Sequence, residues 1–130
     1  MAGEKAEIRR ILVADDDSVI RHVLTFNLEA EGFEVHALEN GAGVYPAMRE
    51  LRPDLLILDI MMPERDGLSI LSEIRDDAAI ADTPVVLLTA KATDAEVWAG
   101  WQAGADYYIT KPFELDEILN FVQYLSAEHR

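Results

Sequence analysis

Asp59 closes the apolar run Leu55-Leu56-Ile57-Leu58 and precedes Ile60-Met61-Met62-Pro63. Three other apolar runs close on polar groups in the same manner. Ile11-Leu12-Val13-Ala14 meets Asp15-Asp16-Asp17, Val85-Val86-Leu87-Leu88 meets Thr89, and Tyr107-Tyr108-Ile109-Thr110 meets Lys111-Pro112-Phe113. In a parallel sheet the C-terminal ends of such runs share one edge, where open α/β folds place their ligands. Three carboxylates gathered there repel one another. A hard divalent cation, Mg²⁺ or Mn²⁺, offsets that repulsion because it prefers oxygen ligands. An ammonium and a hydroxyl complete a set suited to a tetrahedral oxyanion. The chemistry that fits is phosphoryl transfer to a carboxylate, which acts as nucleophile and becomes an acyl phosphate. The Thr89 hydroxyl can turn to one phosphoryl oxygen and Lys111 can pair with another, so the added charge is registered as well as held.

The elements that must position these groups alternate along the chain. The Ile11 run leads to a helix capped by Asp17 or Ser18 and reaching about Glu31, with Ile20, Val23, Leu24 and Leu28 as its inner stripe. Gly32 stops it, and Phe33 to Ala37 alternates as a strand with one wetter face. Asn40-Gly41 turns into a weaker helix ending near Leu51, before Pro53. The central strand follows, then the loop Met61 to Gly67 and a helix over Leu68 to Arg75. Pro84 opens the fourth strand, Asp94 is expected to cap a helix closed by Gly104, and the fifth strand leads to a last helix over Glu114 to Glu128. Five βα units in order predict an α/β, doubly wound, five-stranded parallel sheet with helices on both faces and right-handed crossovers.

At 130 residues the chain is read as a single domain, with a core over about 8–127 and residues 1–7 frayed. It contains no cysteine, which excludes disulfides and thiolate chemistry. No apolar run approaches the ~20 residues that span a bilayer, and the first residues lack a signal-peptide core, so the cytoplasm is the expected location. Eleven basic against 25 acidic residues leave a net charge of −14, with a pI of about 4.4. That surface repels phosphate backbones and anionic lipids, so neither direct nucleic-acid binding nor membrane binding is expected.

Four motifs in order resemble one family. Ile11 to Asp17, Leu56 to Pro63 with Asp66-Gly67, Leu88-Thr89-Ala90, and Ala103-Gly104-Ala105-Asp106 before Tyr108 and Lys111-Pro112-Phe113 look like the receiver domain of two-component response regulators, CheY-like proteins. The resemblance covers about residues 8–127 and implies a flavodoxin-like fold with strand order 2-1-3-4-5. It implies that Asp59 is the phosphoacceptor and that Asp15 and Asp16 are the acidic pair. Mg²⁺ would be held by Asp16, Asp59 and the Met61 backbone carbonyl, with Asp15 acting through water. Thr89 would be the switch hydroxyl, Tyr108 the aromatic that turns inward with it, and Lys111 the phosphoryl counter-charge. The Lys111–Pro112 bond would be cis. The implied phosphodonor is a histidine kinase or phosphotransfer protein, and the implied output is a changed surface on the fourth helix, fifth strand and fifth helix. That surface would bind a downstream protein or a fused effector.

Departures from the family pattern are few. Ala14 replaces a bulkier aliphatic. Met61 and Lys91 stand where residues tune dephosphorylation, and neither can orient an attacking water, so a long-lived acyl phosphate is expected. The last helix lacks the basic residues many DNA-binding regulators use for receiver pairing, which leaves a monomer or a weak phosphorylation-dependent dimer.

Blander readings compete with each of these. Asp15-Asp16-Asp17 alone could be an acidic helix start favoured by the macrodipole. Asp59 alone could be a turn residue, Thr89 a strand terminus, and Lys111 a solvated lysine. Trp98 and Trp101 are read mainly as packing residues, with one of them left for the face that carries Tyr107. His22, His36 and His129 lack ligand spacing and are read as surface or rim residues. Two other functions remain: an aspartate-nucleophile phosphohydrolase, and a binding module independent of phosphorylation. The first needs a second acid two residues after the nucleophile, where Met61 stands. The chain is therefore not expected to be a turnover enzyme; it would catalyse only its own phosphorylation and dephosphorylation.

Overall fold

The structure is a computed structural model that describes residues 8–62, 64–90 and 93–128. The residues expected to fray, 1–7, and also Pro63, Lys91 and His129 lie outside the described ones. Five strands, β1 (Arg10–Ala14), β2 (Glu34–Leu38), β3 (Leu55–Asp59), β4 (Val85–Thr89) and β5 (Tyr107–Thr110), form one sheet in the order β2-β1-β3-β4-β5. Every pairing in it is parallel. The helices are α1 (Ser18–Ala30), α2 (Val44–Leu51), α3 (Gly67–Arg75), α4 (Asp94–Ala103) and α5 (Leu115–Glu128).

The inner strands β1, β3 and β4 read as continuous apolar runs because both of their faces are covered, whereas the edge strand β2 alternates and is part-exposed. The strand period of two sends alternate residues to opposite sides. Leu12, Ala14, Leu56, Leu58, Val85 and Leu87 pack with Val44 and Met48 of α2 and Ile70, Leu71 and Ile74 of α3. Ile11, Val13, Leu55, Ile57, Val86, Leu88 and Ile109 pack with Leu24 and Leu28 of α1 and Ile118, Val122 and Leu125 of α5. Burial at about 25 cal/mol per Å² on both faces concentrates the apolar stabilisation in the central strands.

Caps set the helix starts that matter for the sheet edge. Asp17 accepts from the Val19 and Ile20 amides, and Asp66 from the Ser69 amide. Gly32 and Gly104 follow α1 and α4 with φ of +100° and +104°, a conformation open to glycine.

Four expectations change. The stretch after Asn40 begins as a 3₁₀ turn, Gly41–Gly43, before α2. Asn40 caps it through the Ala42 amide, and Pro46 has no N–H to donate back to the Ala42 carbonyl, so the α-helical ladder starts late. Val23 is exposed rather than inward, because the buried line through Leu24 and Leu28 leaves it about 100° away. Trp98 and Trp101 are both exposed, at 64% and 44%. The inner side of α4 is taken by Gly100, where a Cβ would stand 3.0 Å from the Tyr108 ring and 3.1 Å from Leu87. Trp98 lies two residues, about 200°, around the helix from that contact. Asp94 is the first residue of α4 and not the residue before it.

At the N-terminal edge of the sheet Arg75 acts as a clamp. Its guanidinium donates to the carbonyls of Gly104 (2.7 and 2.9 Å), Ala81 (2.9 Å) and Thr83 (2.6 Å), and to Asp106 Oδ2 at 2.9 Å. The C-terminal end of α4 is thereby tied to α3 and β4.

Candidate functional site

Strand register brings the singled-out residues together. Ala14 pairs with Leu58, so the residues that follow, Asp15 and Asp59, emerge side by side. Asp59 pairs with Leu88, and Thr89 with Thr110, which places Thr89 and Lys111 at the same edge. Among the described residues the buried polar or charged ones are Asp15 (0% exposed), Asp59 (3%) and Thr89 (1%). All three are at this edge, and burial of two carboxylates is costly unless charge is met there.

Carboxylate oxygens of Asp15, Asp16 and Asp59 lie within 4.8 Å of one another. Asp16 is exposed, so the cluster opens to solvent on its side. Lys111 Nζ stands 2.9 Å from Asp15 Oδ2 and 3.4 Å from Asp59 Oδ2. Asp15 Oδ1 accepts from the Asp17 amide at 2.9 Å, and Asp59 Oδ1 from the Met61 amide at 3.3 Å. Asp15 Oδ2 is buried without an aligned hydrogen bond and meets Lys111 as an ion. The Lys111–Pro112 bond is cis.

One ammonium against three carboxylates leaves two negative charges uncompensated. At Asp59 burial adds to this deficit, and the pKa is pushed up to about 6. Burial is the largest cause and the Asp15 charge the next; Lys111 and the Met61 amide act against them. Burial acts to lower Lys111, but Asp15 and Asp59 outweigh it and hold the ammonium above its ordinary value. A cluster of hard oxygen donors, one of them buried and not hydrogen-bonded, fits a divalent cation.

The loop after β3 is held close to the site by Gly67. Its amide donates to the Ile60 carbonyl at 2.6 Å, and a Cβ there would stand 2.6 Å from the Asp59 carbonyl oxygen. Met61 in that loop is 59% exposed. Tyr108 is half-buried against the cluster that contains Leu87, beside Gly100. His22 is exposed near Phe26, and His36 meets Glu34 at 2.6 Å, so neither histidine takes part.

One supporting residue has no signal in the sequence. Arg21, in α1, donates from Nη1 to the Asp15 carbonyl at 2.9 Å and reaches Glu39 at 3.7 Å. It fixes the turn that carries the acidic pair. A charge two turns of chain beyond Asp15, aimed at a backbone carbonyl, is visible only once the helix is folded back.

The family model described as the response regulator receiver domain matches residues 11–123. This chain belongs to that family. The receiver is 41% identical over 111 residues to the DNA-binding response regulator MtrA of Mycobacterium tuberculosis, covering 85% of this chain and 47% of that protein. It is 39% identical over 116 residues to the DNA-binding dual master transcriptional regulator RpaA of Synechocystis, covering 89% of this chain and 48% of that one. The receiver thus spans about half the length of these curated relatives. Among solved structures, a Francisella response regulator receiver domain superposes with a TM-score of 0.86 at 30% identity, covering 94% of this chain and 99% of that one. The chemotaxis response regulator CheY4 of Vibrio cholerae superposes with a TM-score of 0.85 at 25% identity, covering 91% and 98%. The expected α/β receiver fold is thereby borne out, and the acidic pocket of Asp15, Asp16 and Asp59 is the pocket of a two-component receiver. Among the described residues no helix is long and apolar enough to cross a membrane.

Proposed function

We propose that Asp59 accepts a phosphoryl group from a histidine kinase or phosphotransfer protein and that the modified domain is read by a protein partner. The observation that carries this is the coincidence of the buried Asp15, Asp59 and Thr89 with Lys111 at one sheet edge. An Asp59 oxygen would form the bond to phosphorus as the donor's P–N bond breaks, its electron pair returning to the imidazole. Asp16, Asp59 and the Met61 carbonyl would hold Mg²⁺ or Mn²⁺, with Asp15 acting through water. The bound cation supplies charge neutralisation for the transferring phosphoryl oxygens. Lys111, already 3.4 Å from Asp59, pairs with the phosphoryl group. Thr89 turns its hydroxyl toward a phosphoryl oxygen, and Tyr108 follows it inward, so that α4, β5 and α5 present a changed surface.

The acceptor chemistry is self-modification, not turnover: Met61 offers no acid to protonate a leaving group. A single domain over 1–130, working in the cytoplasm as a monomer or weak phosphorylation-dependent dimer, completes the reading. The DNA binding named for the relatives is not carried over, because a charge of −14 repels phosphate backbones. Intact-mass measurement after acetyl phosphate and Mg²⁺ tests the proposal. The native chain is expected to gain one phosphoryl mass and Asp59→Asn none; equal labelling of both, or of neither, overturns it.

A further inference from the structure

The output face carries a groove whose chemistry specifies more than a generic protein partner. Between β5 and α5 an open groove of about 470 Å³ is lined by Asp106, Tyr107, Glu117, Asn120, Phe121 and Tyr124. Tyr107 and Phe121 are stacked, with centroids 4.3 Å apart and planes 11° from parallel, and the Tyr124 ring lies 6.5 Å beyond Phe121. Tyr124 is 58% exposed. Asp106 is matched by Arg75 at 2.9 Å, whereas the Glu117 carboxylate has no ion pair among the described residues. Three aromatic rings beside an unmatched carboxylate suit a planar cation, which can lie on a ring face and pair with the acid at its rim.

Charge selects the occupant. From residue 93 to residue 128 the sequence holds seven acids (Asp94, Glu96, Asp106, Glu114, Asp116, Glu117 and Glu128) and one basic residue, Lys111. That lysine is engaged with Asp15 and Asp59 in the pocket. A second copy presenting this same face would set acids against acids, since a two-fold interface repeats one patch on both sides. Nucleic acid and anionic lipid are repelled for the same reason. We infer that the β5–α5 groove takes an arginine-bearing segment of a partner protein, the guanidinium lying against Phe121 and Tyr124 and pairing with Glu117. For its control by Asp59 this inference rests on the function proposed above; the groove itself does not.

The probe is an acetylated, amidated Gly-Arg-Leu-Arg-Gly peptide, with its Glu-for-Arg counterpart as control, titrated into the full chain and followed by backbone amide chemical shifts. The arginine peptide is expected to give saturable shifts centred on Tyr107, Glu117, Asn120, Phe121 and Tyr124, and the control none. Glu117→Gln is expected to weaken binding about threefold, in the range of one exposed ion pair. Tyr124→Ala is expected to weaken it further, and because the ring is exposed the fold should be retained, as the remaining amide shifts will report. Shifts scattered over the acidic surface, or affinities unchanged in both variants, overturn the inference. So does self-association through the groove without peptide. Repeating the titration after acetyl phosphate and Mg²⁺ separates the two proposals. A chain that binds the peptide but gains no phosphate on Asp59 from acetyl phosphate and Mg²⁺ sinks the function proposed above and leaves the groove; a chain phosphorylated on Asp59 that binds no peptide in either state sinks the groove alone.

Discussion

Replacing Asp59 by asparagine should make the metal-free domain more stable, although it removes the residue at the centre of the pocket. The pKa of Asp59 rises from 3.8 to about 6 on folding. A group raised in this way contributes its full stability below the unfolded value and loses it as pH rises through the folded one. Across pH 4 to 6 the folded state therefore holds the proton that the unfolded state has released, and stability falls with rising pH. At about 1.36 kcal/mol per unit, the ionised carboxylate costs on the order of 3 kcal/mol at pH 7.5. Asparagine keeps an oxygen for the Met61 amide and carries no charge, so it should recover most of that amount. For a chain of this size the gain corresponds to roughly 10 °C in Tm. Thermal unfolding in EDTA at pH 7.5 and at pH 4 measures it. The gap between variant and native chain should be large at pH 7.5, close at pH 4, and narrowed at pH 7.5 by added Mg²⁺, which binds the native cluster and stabilises by mass action. A variant no more stable than the native chain in EDTA at pH 7.5 would refute the reading that burial and the Asp15 charge together destabilise the ionised Asp59.

Other outcomes follow from neighbouring residues. The acyl phosphate should decay over minutes to hours in Mg²⁺, and Met61→Glu should shorten its life by supplying a group that can orient water; decay of the native form within seconds would sink this. Gly67→Ala should cost about 1–3 kcal/mol of stability through overpacking, seen as a lower urea midpoint, because its Cβ meets the Asp59 carbonyl and Ile60; an unchanged midpoint would show that the loop is looser than the structure has it. Asp77 accepts from Tyr45 and Arg49, and these bonds, Tyr45 first, hold its pKa down to about 2. Its contribution is therefore present above pH 3.8 and lost as pH falls toward 2, so Asp77→Asn should flatten the acid-unfolding profile in that window, and a profile parallel to the native one would contradict it.

The central strands were legible because they lie under helices on both faces and so appear as unbroken apolar runs, while the edge strand β2 showed only as an alternation. Asp15, Asp59, Thr89 and Lys111 were legible for a related reason: a polar residue at the end of such a run has few structural explanations. Other features depend on partners far away in sequence. Arg21 and Arg75 act on backbone carbonyls, which any residue supplies, so no side-chain pattern announces them. The exposure of both tryptophans depends on Gly100 bringing α4 against Tyr108, a contact that hydrophobic periodicity cannot reveal. Val23 failed more simply, since a stripe counted by spacing is wider than the line that the sheet covers.

Trapping of the modified residue tests the central claim most directly. After phosphorylation with acetyl phosphate and Mg²⁺, borohydride reduction converts an aspartyl phosphate to homoserine, which peptide sequencing by mass spectrometry locates. The account predicts homoserine at position 59 and at no other aspartate, with Asp15 and Asp16 unmodified. Homoserine at Asp15 or Asp16 in place of position 59, or at no position in a chain that has taken up phosphate, would contradict it.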